Sequence, residues 1–103
     1  MDEKDFALRL AMLRTKKGVS AREMSIDISQ NPGYINNIES GKSLPSLSGI
    51  FYICDYLKIT PSEFFDMDVE NPEKLKGIIE GLKHLNDKQL DTIATLVKDL
   101  INK

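Results

Sequence analysis

Apolar positions recur along this chain at intervals of three and four almost from its first residues. In the segment 5–17, Phe6, Leu10 and Leu13 stand at i, i+4 and i+7, the spacing of an amphipathic helix, and Gly18 follows as a C-terminal stop. Arg9, Arg14, Lys16 and Lys17 are assigned to its other faces. Ser20 followed by Glu23 is a capping-box pattern, which predicts a second helix from position 20 to about 28, with Met24 and Ile28 inward. The small Ser25 between them lets another helix approach closely. A short turn, Ser29-Gln30-Asn31-Pro32, leads to a third helix expected over 32–40. Asn31 is its N-cap, Pro32 its first residue, Ile35 and Ile38 its inner side and Gly41 its stop.

Leu44-Pro45-Ser46 opens a fourth helix, capped by Ser46, with Ile50, Ile53, Cys54 and Leu57 as its inner stripe. Thr60-Pro61-Ser62-Glu63 is another capping box with proline at the first helical position, and it starts a short fifth helix that ends at Phe64-Phe65. Residues 66–70 are acidic, lack apolar periodicity and read as a linker. Asn71-Pro72-Glu73 begins a sixth helix carrying Leu75, Ile78, Ile79 and Leu82, and Asn86-Asp87 begins a seventh carrying Leu90, Ile93, Val97 and Leu100. No strand pattern and no internal repeat is present. The expected class is all-α: a five-helix domain over 1–66, a linker at 67–70, and a C-terminal helical appendage over 71–103.

Composition narrows the function. No apolar run approaches the roughly 18 residues of a membrane span, the N-terminus does not read as a signal peptide, and a lone Cys54 cannot form an internal disulfide. The expectation is no membrane and a reducing cytoplasm. Net charge is −2 over 103 residues, and the pI is near 5.4, a balance that by itself argues against phosphate binding. The distribution changes that picture. Residues 1–44 hold seven Lys or Arg against six Asp or Glu, whereas residues 45–103 hold seven against ten. A nucleic-acid surface therefore belongs to the first half.

Catalytic and metal signals are missing from the sequence. His84 has no ligand-like neighbours, Cys54 falls on an inner helix face, and no glycine-rich phosphate loop or nucleophile elbow occurs. No enzyme, no cofactor and no metal site is expected. Lys16 and Lys17 suit the negative end of the first helix. Phe51, Tyr52, Tyr56, Phe64 and Phe65 read as core and rim of helices four and five; Phe51 and Tyr52 are consecutive, so at least one is exposed and suits a subunit interface.

Helix two, its turn and helix three carry the functional pattern. A short helix with polar outer positions fits a major groove about 12 Å wide, and its outward residues here are Gly33, Tyr34, Asn36 and Asn37. The run Phe6-Ala7-Leu8-Arg9-Leu10, then Leu13-Arg14, Gly18-Val19-Ser20, Met24-Ser25, Tyr34-Ile35, Ile38-Glu39-Ser40-Gly41-Lys42, Pro45-Ser46 and Leu57 resembles the Cro and phage-repressor (XRE-like) type of helix-turn-helix regulator. The resemblance implies a bacterial or phage regulator that binds double-stranded DNA. It implies that Ser20 caps helix two and touches phosphate, that Pro32, Gly33, Tyr34, Asn36 and Asn37 lie at the groove, and that Lys42 and Ser43 contact the backbone. It further implies an ion pair between Arg14 and Glu39.

Three positions depart from the family pattern. Ala21 stands where a bracing Gln is common, Ser29 where a turn glycine is usual, and Pro32 with Gly33 where base-reading side chains often sit. Direct readout then rests on Asn31, Asn36 and Asn37, with Tyr34 and Arg22 at phosphates and DNA shape contributing. The stripe of Leu90, Ile93, Val97 and Leu100 is expected to join two chains as a homodimer, placing two recognition helices about 34 Å apart on a pseudo-palindromic site. The alternative function is a protein-interaction module, such as an antitoxin or antirepressor partner; an inducer or a further protein partner is left unspecified.

Overall fold

A computed structural model describes residues 1–102 of the chain, and Lys103 of the expected appendage lies outside the described residues. Seven α-helices follow in order: α1 Glu3–Lys17, α2 Ala21–Asp27, α3 Tyr34–Glu39, α4 Leu47–Leu57, α5 Pro61–Phe64, α6 Pro72–Leu82 and α7 Asp87–Ile101. No strand occurs among the described residues. The chain is all-α. It divides into two units, Met1–Glu73 and a second from Lys74 onward.

Local chemistry explains most of the helix ends. α1 starts earlier than expected because Asp2, not a later residue, is its cap: Asp2 Oδ1 accepts from the Asp5 N–H and Asp5 Oδ2 from the Asp2 N–H, each at 3.0 Å. Gly18 closes it at φ 82°, donating to the carbonyls of Arg14 and Thr15. Ser46 caps α4 through the Gly49 N–H, and Thr60 and Glu63 satisfy each other's backbone donors at α5. Asn86 and Gln89 do the same at α7.

A second boundary differs from the sequence expectation. α3 begins at Tyr34 rather than Pro32. The Asn31 side chain folds back onto the Gly33 N–H at 3.1 Å, and the Tyr34 N–H donates to the Asn31 carbonyl. This Asx turn competes with helix and keeps Pro32 and Gly33 outside it. α2 ends at Asp27, and the chain reverses through Ser29 at φ 62°. The Gln30 N–H then reaches back to the Ser25 carbonyl at 2.9 Å. A serine in this left-handed conformation costs about 1 kcal/mol against glycine.

The core of the first unit gathers the expected stripes. Phe6, Leu10, Leu13, Met24, Ile35, Ile38, Ile53, Cys54, Leu57, Ile59 and Phe64 are buried, with Ile28 and Ile50 packed at the margin. The rings of Phe6, Phe64 and Phe65 meet at centroid distances of 5.0 to 5.9 Å. Arg9 was expected on an outer face, but it is 3% exposed. Its guanidinium donates to four carbonyls: Nε to Phe64 at 2.7 Å, Nη1 to Val69 at 2.6 Å, and Nη2 to Glu63 at 3.0 Å and Asp66 at 2.8 Å. Burial lowers its pKa from the usual arginine value, and the nearby Asp66 charge works the other way. The segment 66–70, expected as a free linker, is thereby tied to α1. The first unit accordingly runs to Glu73 rather than ending at 66.

Arg9→Met keeps the side-chain volume but strands several carbonyls, each worth about 1–3 kcal/mol when left unpaired. Urea denaturation is expected to show a loss of about 3 kcal/mol or more. A loss under about 1 kcal/mol would mean water replaces the guanidinium. Ser29→Gly is expected to raise stability by about 0.5–1 kcal/mol, once the extra chain entropy of glycine is subtracted from the relieved strain. An unchanged midpoint in the same denaturation would show that Ser29 carries no strain.

Candidate nucleic-acid interface

α3 has six residues, too few to persist unaided. Its position is set by contacts at both ends. At the start, no side chain from the flanking turn caps it. Ser25, fully buried on α2, supplies the missing acceptor: its Oγ receives the Ile35 N–H at 3.0 Å and donates to the Ala21 carbonyl at 2.7 Å. At the end, Arg14 of α1 grips Glu39 with a two-pronged contact, Nε to Oε2 at 2.7 Å and Nη2 to Oε1 at 3.0 Å. A third Arg14 donor holds the Val19 carbonyl at 2.9 Å. The bonds to Glu39 raise the Arg14 pKa above its usual value despite partial burial. Both side chains are largely shielded, at 19% and 13% exposure, so the pair acts as an orienting brace between helices.

Beyond α3 the chain folds back on its own helix. The Asn37 carbonyl accepts from the N–H groups of Lys42 at 2.9 Å and Ser43 at 3.2 Å. Gly41, at φ 81°, makes that reversal possible. Lys42 and Ser43 are thus delivered, exposed, to the end of α3.

The sequence-expected site residues fall into three groups. Asn31, Gly33 and Asn37 come together: a Cβ built on Gly33 would lie 3.7 Å from Asn31 Oδ1 and 3.8 Å from Asn37 Nδ2. Asn36 is exposed on the same short helix, and Pro32 is exposed in the preceding turn. Ser20 and Arg22 are exposed at the start of α2, where the Ser20 Oγ accepts the Glu23 N–H at 3.0 Å. Arg22 shares a shallow depression with Glu23 and Asp27, so this part of the surface mixes both signs of charge.

Tyr34 differs from the role read from its sequence position. Its ring is half-buried, and its hydroxyl rests against Gly49 of α4, where a Cβ would collide with it. Burial raises the phenol pKa. Tyr34 is a spacer between α3 and α4, and Gly49 is its required partner. Only the close approach reveals that glycine, since it sits in an ordinary helix.

A second brace holds α2 from behind. The Tyr56 hydroxyl on α4 donates to Asp27 Oδ2 at 2.8 Å, and the Lys17 ammonium lies 5.2 Å from the Tyr56 ring centre. Desolvation first, and the Asp27 carboxylate next, push the Tyr56 pKa up to about 12. Lys17 is a helix-end cation, as read from sequence, and also faces an aromatic ring. Cys54 is buried, and desolvation pushes its thiol up to about 11. Phe51 and Tyr52 are both exposed, as are Leu44 and Leu47.

On α7, Leu90, Val97 and Leu100 are exposed and Ile93 is half-buried. Among the described residues no group of three or more His, Cys, Asp or Glu is placed to hold a metal ion, and no helix is long and apolar enough to cross a membrane. Comparison with known protein families, curated proteins and solved structures finds no match to this chain.

The Arg14–Glu39 brace is open to test. Removing one member of a shielded pair leaves the other charge unpaired, which costs more than removing both. Glu39→Met alone is expected to lower stability by about 2–3 kcal/mol, and Arg14→Met with Glu39→Met by less than the sum of the single changes. Strictly additive losses in denaturant titrations would show that the two side chains do not depend on each other.

Proposed function

We propose that this protein is a sequence-selective regulator that binds double-stranded DNA through a helix-turn-helix made of α2, the connection 28–33 and α3, acting in the cytoplasm as a repressor that occupies a promoter. The observation that carries this reading is the fixing of so short a helix at both ends, by Ser25 and by Arg14–Glu39, with its polar side left outward. A helix that served only to fill a core would not need to keep Asn31, Asn36 and Asn37 along an accessible edge.

In this role Asn36 and Asn37 hydrogen-bond base edges, and asparagine suits the paired acceptor and donor of adenine in the major groove. The Asn31 Oδ1 is committed to Gly33, so its amide donors make any outward contact. Arg22 and Lys42 neutralise phosphates, with the hydroxyls of Ser20 and Ser43 beside them. Two exposed cations per chain imply a shallow salt dependence, a slope of about −2 per chain in log K against log salt. The bare Gly33 suits close approach by the DNA, since its φ of −94° does not itself demand glycine.

A second reading has its own support. The near-balance of charge over residues 1–44 and the exposed Leu44, Leu47 and Phe51 also suit a protein-interaction module, such as an antitoxin or an antirepressor partner.

Selection from a random duplex pool distinguishes the two. Enrichment of one motif is expected, with Asn36→Ala and Asn37→Ala each weakening binding to it by about 1–3 kcal/mol per lost base contact. Lys42→Ala is expected to weaken all duplexes alike. A pool that stays random through the selection would overturn the DNA reading in favour of the protein partner.

A further inference from the structure

Gly33 is a glycine that its own backbone does not require. It is the third residue of a turn closed by the Tyr34 N–H on the Asn31 carbonyl. Its φ of −94° and ψ of 0° are those of a type I turn at that position, which accepts most residues. Gly18 and Gly41, by contrast, stand at positive φ. An alanine would also fit in space: its Cβ would meet Asn31 Oδ1 at 3.7 Å and Asn37 Nδ2 at 3.8 Å, both ordinary contacts. Apart from the adjoining residues of the chain, nothing else lies within 4 Å. Glycine gives the unfolded chain more freedom than alanine does, so leaving the Cβ out lowers stability. What remains is a notch the size of one methyl group, set between two amides and next to the exposed Pro32.

We propose that this notch receives the 5-methyl group of a thymine while Asn37 Nδ2 donates to O4 of the same base, so that Gly33 selects thymine at one position of the bound site. Resting on the DNA reading, the assignment names the base that this part of the surface takes. Thymine alone of the four bases presents a methyl group in the major groove, and its O4 acceptor stands beside it. Cytosine lacks the methyl group and turns its N4 amine, a donor, toward Asn37; a purine offers N7 and no methyl group. Asn31 Oδ1 already accepts the Gly33 N–H at 3.1 Å, so a methyl group laid against it does not leave that oxygen without a partner. The Asn37 Oδ1 is left to accept from N6 of the paired adenine.

The test uses the duplex motif enriched by the full chain. Each thymine in it is replaced in turn by deoxyuridine, which removes the 5-methyl group but keeps O4 and the pairing with adenine. At one thymine the wild-type protein is expected to lose about fourfold in affinity, the burial of one methyl group. Gly33→Ala fills the notch, so this variant is expected to bind the thymine and uracil duplexes equally and to melt no lower than the wild type. A 5-methylcytosine paired with guanine at that position is expected to bind no better than uracil, because its N4 amine opposes the Asn37 donor.

A wild-type protein indifferent to every uracil needs no variant to establish, and it would overturn the proposal while leaving the DNA reading in place. So would a motif without thymine, a Gly33→Ala variant that keeps the fourfold preference, or 5-methylcytosine bound as tightly as thymine. A pool that yields no motif would end the DNA reading and the thymine assignment together.

Discussion

Arg9 carries a positive charge under α5 and meets it with the peptide carbonyls of Glu63, Phe64, Asp66 and Val69. α5 is a single turn, and its carbonyls have no continuing helix to receive. Arginine suits the task because its planar head offers five donors at fixed angles and stays charged when partly desolvated; a lysine would offer three around one point. The bonds reach from the first helix to residues 54 to 60 positions later and close the first unit into one body. The tilted and edge-on rings of Phe6, Phe64 and Phe65 lie in the same region, so apolar packing and polar capping reinforce each other there.

That closure sets the frame in which α3 is held. α1 contributes Arg14 to the end of α3, and α2 contributes Ser25 to its start. Neither bond adds much net stability, since each replaces a bond to water. Their effect is positional: they give the short helix one pose. Tyr34 against Gly49 and Tyr56 against Asp27 extend the same support to α4. Most of the polar chemistry of this unit therefore orients elements whose burial energy comes from Leu10, Met24, Ile35, Ile53 and Phe64.

The second unit works by the opposite logic. Its helices have sound caps at Asn86 and Gln89 but no core of their own.

Much of the fold was legible in the residues. The seven helices, the caps at Ser20, Ser46, Thr60 and Asn86, the glycine stops at Gly18 and Gly41, and the inner stripes all depend on neighbours within a few positions, so local pattern reports them. The left-handed turn at Ser29 was signalled by the resemblance, whose pattern has a glycine there, and not by its neighbours. The early end of this legibility is at Asn31, whose side chain had two local uses, cap or turn, and took the turn. Of the candidate interface, the helical pattern marked Asn36 and Asn37 as outward, whereas Lys42 and the Arg14–Glu39 pair came only from the resemblance. The burial of Arg9, the use of Ser25 as a cap for another helix, the seating of Tyr34 over Gly49 and the extension of the first unit to Glu73 were decided by the tertiary structure alone. Each depends on a partner 10 to 60 residues away, or on a neighbouring helix coming close, and no period of three or four residues records such a partner.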